Sequence, residues 1–286
     1  MKIRIPATSA NLGCGFDSCG IGLSLYLHLD TGDLAETWHI EHSLAGIPSD
    51  ASNLIIETAL KLKPDLAPRS MKMQTDIPPS RGLGSSSSAI IAGIELANRE
   101  GGLGLSRSEK LRIATELEGH PDNVAPAIYG GFVVASYDQR EVSSVKHHFP
   151  DCDLIVFIPN QELLTSESRD VLPKTLDYQE AVTASSISNV MIGAVLNGNL
   201  PLAGKMMERD LWHEKYRGHL VPYLAPIRKV SQQVGAYATV LSGAGPTILT
   251  FSPYEKTEAL VAQIRELKLK GRVEVLAIDK EGIQVY

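Results

Sequence analysis

Residues Arg81–Ala89 read RGLGSSSSA, with two glycines and four serines in one short run. Alone, the stretch has the composition of a flexible linker. Its flanks argue otherwise. Pro78 and Pro79 stand just before it, after the strand-like MKMQTDI, and the apolar run AIIAGIELA follows directly. The pattern predicts a strand, a punctuated glycine turn and a buried helix from Ser85 to about Arg99. The first turn of a helix carries unpaired N–H groups and a partial positive charge, so it attracts phosphate. Glycine lets the backbone approach an anion closely, and serine hydroxyls can donate to phosphate or ligate Mg²⁺. The spacing is not that of a Walker A loop, because no lysine follows the second glycine. The third glycine of a dinucleotide fingerprint is also missing. On local sequence, a phosphate cradle and a Gly/Ser turn capping a core helix stand level.

Two more glycine-rich segments lie outward from this one. PATSANLGCGFDSCG (Pro6–Gly20) falls between two strand candidates, KIRIPA and GLSLYLHLD, and LSGAGPTI (Leu241–Ile248) separates two others. Further strands are read at WHIEH, GGFVVASY, LIVFIP, VEVLAI and GIQVY. Helical patterns cover Asn53–Leu62, Tyr178–Leu196, Leu202–Trp212 and YEKTEALVAQIRELKLK. Another helix opens at Ser106, with Glu109 three positions on as a capping box. Strands and helices mix without strict alternation, which predicts an α+β fold rather than a doubly wound sheet. A division near Pro150 gives two domains, residues 1–150 and 151–286.

The 286 residues are 43% hydrophobic and 21% charged, as in a globular enzyme with a substantial core. A formal charge of −6 argues against nonspecific nucleic-acid binding, which depends on a basic surface. No apolar run reaches the roughly 18 residues of a membrane span, and the N-terminus lacks a signal-peptide core. A cytoplasmic protein is expected. Cys14, Cys19 and Cys152 show no metal-site spacing and read as free thiols.

With its three glycine segments the chain resembles the GHMP kinases, small-molecule kinases named after galactokinase, homoserine kinase, mevalonate kinase and phosphomevalonate kinase. The PxxxGLGSS pattern runs from Pro78 to Ser86. SANLGxGFD at Ser9–Asp17, HPDNVAPAIYGGF at His120–Phe132, SRDVLP at Ser168–Pro173 and WHEKYRGHLVP around Arg217 resemble the homoserine kinase branch. One departure is Cys14, where that branch commonly has proline; a reactive thiol there is the alternative to a plain turn residue.

The resemblance implies a two-domain fold: an S5-like N-terminal domain and a ferredoxin-like C-terminal α/β sandwich. It also implies ATP and Mg²⁺ as co-substrate and cofactor, and transfer of the γ-phosphoryl group to the hydroxyl of L-homoserine in threonine biosynthesis. Mevalonate or shikimate are the alternative acceptors, and a nucleotide-binding regulatory module the alternative class. The implied ATP site comprises Pro78, Pro79, Ser80, Arg81, Gly82, Leu83, Gly84, Ser85, Ser86, Ser87 and Ser88. Gly243 and Gly245 would close over it from the second domain. Asn53 matches an asparagine near the adenine, or is simply a helix N-cap. Ser86 and Glu116 match the metal position, with Glu118 as competitor to the latter. Arg169 and Arg217 match a clamp for the acceptor carboxylate, and Asp17 a group for its ammonium or hydroxyl. Asn11 and Asn123 are placed to orient the hydroxyl. Asn123 is an amide where many relatives carry aspartate, so catalysis without a dedicated side-chain base is implied. His120 reads as shaping its loop. A homodimer is what the family suggests.

Overall fold

The computed structural model describes Met1–Tyr286. The alternating sequences at the N-terminus form β1 (Lys2–Ala10) and β2 (Cys19–Asp30), an antiparallel pair that centres the first sheet. After β3 (His39–Glu41) and α1 (Leu54–Leu62) comes β4 (Ser70–Thr75), and then the glycine turn into α2 (Ser85–Glu100). α3 (Arg107–Glu118) starts on the expected Ser106–Glu109 capping box. α4 (Val124–Tyr129), β5 (Phe132–Tyr137) and β6 (Val142–His147) complete the first half. β2 is long enough for two neighbours on one edge: Cys19–Ile21 pair with β5, and Leu27–Asp30 with β4. α2 packs against β1, α1, α3 and α4, which is why its apolar run has no polar face.

The second half contains β7 (Asp153–Pro159), α5 (Thr165–Asp170), α6 (Tyr178–Leu196), α7 (Leu200–Met207), α8 (Glu214–Arg217) and α9 (Leu224–Val234). β8 (Ala238–Leu241), β9 (Ile248–Ser252), α10 (Thr257–Glu266), β10 (Gly271–Leu276) and β11 (Gln284–Val285) follow. Four strands form an antiparallel sheet in the order β10-β7-β9-β8, the arrangement of a ferredoxin-like unit with α9 and α10 as its crossovers. LIVFIP is apolar at every position because both faces of β7 are covered. Ile155 and Phe157 face a small core under α9 and α10, while Leu154, Val156 and Ile158 join the main core shared with the first sheet.

The α+β class and the two sheets agree with expectation. A contiguous 151–286 unit does not: β11 returns to pair with β1, and Ile278 bridges Leu23. The C-terminal strand covers a β1 edge that would otherwise be unpaired. The helix expected over Leu202–Trp212 instead starts at Leu200 and stops at Met207. Beyond it, the Asp210 carboxylate accepts the backbone N–H groups of Trp212, His213 and Glu214 and so launches the short α8. No helix is long and apolar enough to cross a membrane.

Candidate active site

All three glycine segments meet at one cleft between the two sheets. Of its 21 lining residues only four are hydrophobic, so it suits a polar, charged ligand rather than a lipid-like one.

The glycine-turn end is built by strain-tolerant backbone. Gly82 and Gly84 both take φ of 71°, and a Cβ on Gly82 would lie 2.4 Å from the Ser242 carbonyl oxygen. Only glycine permits that approach. Ser242 Oγ donates to the Gly82 carbonyl at 2.6 Å, so the LSGAGPTI loop braces the glycine turn. Gly84 caps α2 with no side-chain hydrogen bond, so the first-turn N–H groups have no capping side chain, and Ser85, Ser86 and Ser87 line the cleft. Ser86 and Ser87 hydroxyls donate to the two oxygens of Glu118, each at 3.2 Å. Burial raises the pKa of Glu118, outweighing the opposing effects of His120 and the two serines.

The other end holds Asp17, Arg169 and Arg217. Asp17, at φ 52°, accepts two hydrogen bonds from Arg169 at 2.6 and 3.1 Å. Burial disfavours the Arg169 cation, but Asp17 outweighs it and raises its pKa. Arg217 is 1% exposed and makes no ion pair. Its guanidinium donates to the Ser168 carbonyl at 3.0 Å, to the Gly243 carbonyl at 3.2 Å and to His213 Nδ1 at 3.1 Å. Burial, and then the nearby Arg169, push its pKa down to about 10. The Phe16 ring lies beneath both arginines, 5.7 Å from Arg169 and 5.4 Å from Arg217. Between the two ends, Thr8 Oγ1 donates to Asn123 Oδ1 at 2.7 Å, which fixes the Asn123 amide with its NH₂ away from Thr8. His120 Nδ1 lies 2.5 Å from buried Asp122. Burial opposes the charged ring, but Asp122 prevails and raises the His120 pKa. Asp17, His120 and Asp122 offer ligand atoms within 4.8 Å of one another, yet Asp17 is already engaged by Arg169.

The cleft therefore gathers Asn11, Asp17, Ser80, Arg81, Gly82, Gly84, Ser85, Ser86, Ser87, Asn123, Arg169, Arg217 and Gly243. Several expected residues fall elsewhere. Glu116 points to solvent and pairs with Arg112 one turn back, whereas Glu118 is the carboxylate on the serines. Asn53 is an N-cap: its Oδ1 accepts from Ile55 N–H and its Nδ2 donates to the Pro48 carbonyl. Leu83 is core, and Ser88 Oγ donates to the Pro6 and Gly84 carbonyls inside the fold. Pro78 and Pro79 line an adjoining groove with Leu25, Leu44 and Ile77. Gly245 packs against Leu241 and Val221 rather than facing the cleft. Arg81 lines the cleft, but its donors hold the carbonyls of Pro79, Pro159 and Asn160. Asn11 is a brace: its Oδ1 accepts from Asp17 N–H and its Nδ2 donates to the Gly243 carbonyl. Cys14 is buried with its pKa pushed up to about 12 by that burial, which leaves no reactive thiolate.

Thr8, Phe16, Asp122 and His213 escaped the sequence reading as site residues. All four lie inside the quoted segments, but Thr8 meets Asn123 across 115 positions, and His213 meets Arg217 one helical turn on and the Gly13 carbonyl across 200 positions.

Residues 53–131 match the family model of the GHMP kinases N terminal domain, and residues 191–268 that of the GHMP kinases C terminal. A homoserine kinase of Enterococcus faecalis is 59% identical over 287 residues, with 100% of both chains covered. A solved Listeria monocytogenes structure assigned as a homoserine kinase superimposes with a TM-score of 0.90 at 53% identity, covering 100% of this chain and 98% of that one. The homoserine kinase of Cytophaga hutchinsonii superimposes with a TM-score of 0.86 at 26% identity, over 100% and 97% of the two chains. The sequence segments, the two sheets, the shared cleft and these full-length similarities agree: the chain belongs to the GHMP kinases, in their homoserine kinase family.

Proposed function

We propose that the chain transfers the γ-phosphoryl group of ATP to the side-chain hydroxyl of L-homoserine. The observation that carries the acceptor assignment is Arg217, a buried guanidinium held by three neutral acceptors and lacking a carboxylate partner. A buried cation is costly unless paired, and the open cleft beside it is where an anion can enter. Both arginines line the cleft over the Phe16 ring, where together they suit a carboxylate. Asp17 supplies the opposite charge for an ammonium, as an amino-acid acceptor requires. Mevalonate and shikimate carry no ammonium to meet Asp17, whose charge would then serve Arg169 alone.

ATP phosphates would sit on the α2 N–H groups. Glu118 is a desolvated carboxylate whose site partners are two hydroxyls, and that oxygen set fits a hard divalent cation. Ser86 and Glu118 would hold Mg²⁺, which when bound neutralises phosphate charge. The acceptor oxygen attacks Pγ as the bond from Pγ to the β–γ bridging oxygen breaks, releasing ADP. Asn123 orients the hydroxyl by its NH₂ group, since its oxygen is engaged by Thr8. An amide takes no proton at neutral pH, and His120 Nδ1 is engaged by Asp122. The hydroxyl proton leaves late, to the transferring phosphoryl oxygens, as a loose transition state allows. The test is ADP release across homoserine, threonine, mevalonate, shikimate and galactose. Homoserine should be strongly preferred; equal or greater turnover of mevalonate or shikimate would refute the assignment.

A further inference from the structure

The His213 ring is fully buried, stacked on Phe16 at 5.2 Å between centroids, and bonded at both nitrogens. Nδ1 lies 3.1 Å from Arg217 Nη1, and Nε2 lies 2.9 Å from the Gly13 carbonyl oxygen. A guanidinium can only donate and a carbonyl can only accept. Nδ1 must therefore present its lone pair to Arg217, and the single ring proton sits on Nε2, donating to Gly13. This fixes one neutral tautomer from the geometry of the partners.

We propose that His213 is a positioning residue for the acceptor-binding arginine, holding the Arg217 guanidinium plane through Nδ1 without neutralising its charge. The inference rests on the reading that Arg217 meets the acceptor's carboxylate. A carboxylate at position 213 would hold the arginine more tightly but would compete with the substrate for its charge. An imidazole fixes direction and leaves the charge free. With the Ser168 and Gly243 carbonyls it completes a set of neutral acceptors, so the open side of the fork faces the cleft. His213 also ties α8 to the Gly13 turn that carries Asp17, linking both halves of the zwitterion site.

Two isosteric substitutions separate the positioning role from a merely structural one. Asparagine places an amide oxygen at the Nδ1 position and keeps an acceptor for Arg217. Glutamine reaches the Nε2 position and keeps only the Gly13 contact. Steady-state kinetics of His213→Asn and His213→Gln, each with both substrates varied, should give opposite results. H213Q should raise the homoserine KM roughly tenfold or more, as expected for one lost charge-assisted hydrogen bond. H213N should stay within about threefold of the native enzyme, and the ATP KM should stay within about twofold in both. Equal impairment of the two, or impairment of H213N alone, would overturn the proposal. In an Arg217→Met background H213Q should add no further loss in acceptor KM; an additional loss would also overturn it. Arg217→Met alone separates the two readings. If it leaves the homoserine KM unchanged, the acceptor assignment itself fails. If it raises that KM while H213Q does not, only the role of His213 fails.

Discussion

Replacing Arg217 with methionine should separate function from stability. The side chain keeps an unbranched stem and loses its charge and its donors. The Arg217 pKa falls from the ordinary arginine value to about 10 because burial and Arg169 disfavour the cation. At ~1.4 kcal/mol per pH unit this corresponds to about 3 kcal/mol of electrostatic cost in the folded state. Both folded and unfolded states hold the proton below pH 10, so the cost is fully present at neutral pH and is relieved only as pH rises through about 10. Against its removal stand three hydrogen bonds, each contributing about 1 kcal/mol net. The two roughly cancel, so unfolding should change by no more than a kcal/mol or two and Tm by a few degrees. Acceptor binding, by contrast, loses at least one charge-assisted bond of ~1.5–3 kcal/mol, or roughly 10- to 150-fold. The assay is coupled ADP release with homoserine and ATP varied separately, beside calorimetric unfolding. A loss of ~4 kcal/mol in stability with an unchanged homoserine KM would make Arg217 a structural residue and refute this reasoning.

Three further outcomes follow from the same geometry. Glu118→Gln should cut turnover by roughly a hundredfold and raise the Mg²⁺ requirement, whereas Glu116→Gln, which removes only an exposed pair with Arg112, should stay within about twofold. Because burial raises the Glu118 pKa, the acid limb of kcat/KM for ATP should lie above the ordinary carboxylate range. Activity is then present above that limb and is lost as pH falls through it, and added Mg²⁺ should move the midpoint down; a midpoint insensitive to Mg²⁺ would exclude Glu118 as its origin. Ser86→Ala and Asn123→Ala should each reduce turnover about tenfold or more, and if both stayed within twofold the site assignment would be wrong.

Much of this was legible because it is local. The capping box at Ser106 and the turn-to-helix passage at Gly84 are written in adjacent residues. Glu118 was legible too, as the competitor to Glu116. Leu111, Ala114 and Thr115 form the buried face of α3, and the helical period from them reaches position 118, not 116. That phase turns Glu118 toward Ser86 and Ser87 and leaves Glu116 on the exposed face. Other features depend on contacts between distant segments, which local patterning does not encode. Asp17 and Arg169 pair across 152 positions, and β11 finds β1 from the far end of the chain. Asn11 and Asn53 were polar residues in suggestive places whose hydrogen bonds bind the fold itself. A side chain's partners, not its type, decided between brace and ligand.

The most direct test of the zwitterion reading compares homoserine with its deaminated analogue, γ-hydroxybutyrate, and its decarboxylated analogue, aminopropanol, under identical conditions. Phosphorus NMR identifies the product and coupled ADP release gives kcat/KM. Homoserine should yield a phosphate monoester, and each analogue should fall by roughly tenfold or more, the expected loss of one charged contact to Asp17 or to the two arginines. Phosphorylation of all three at similar kcat/KM would contradict the account, because the charged end of the cleft would then take no part in choosing the substrate.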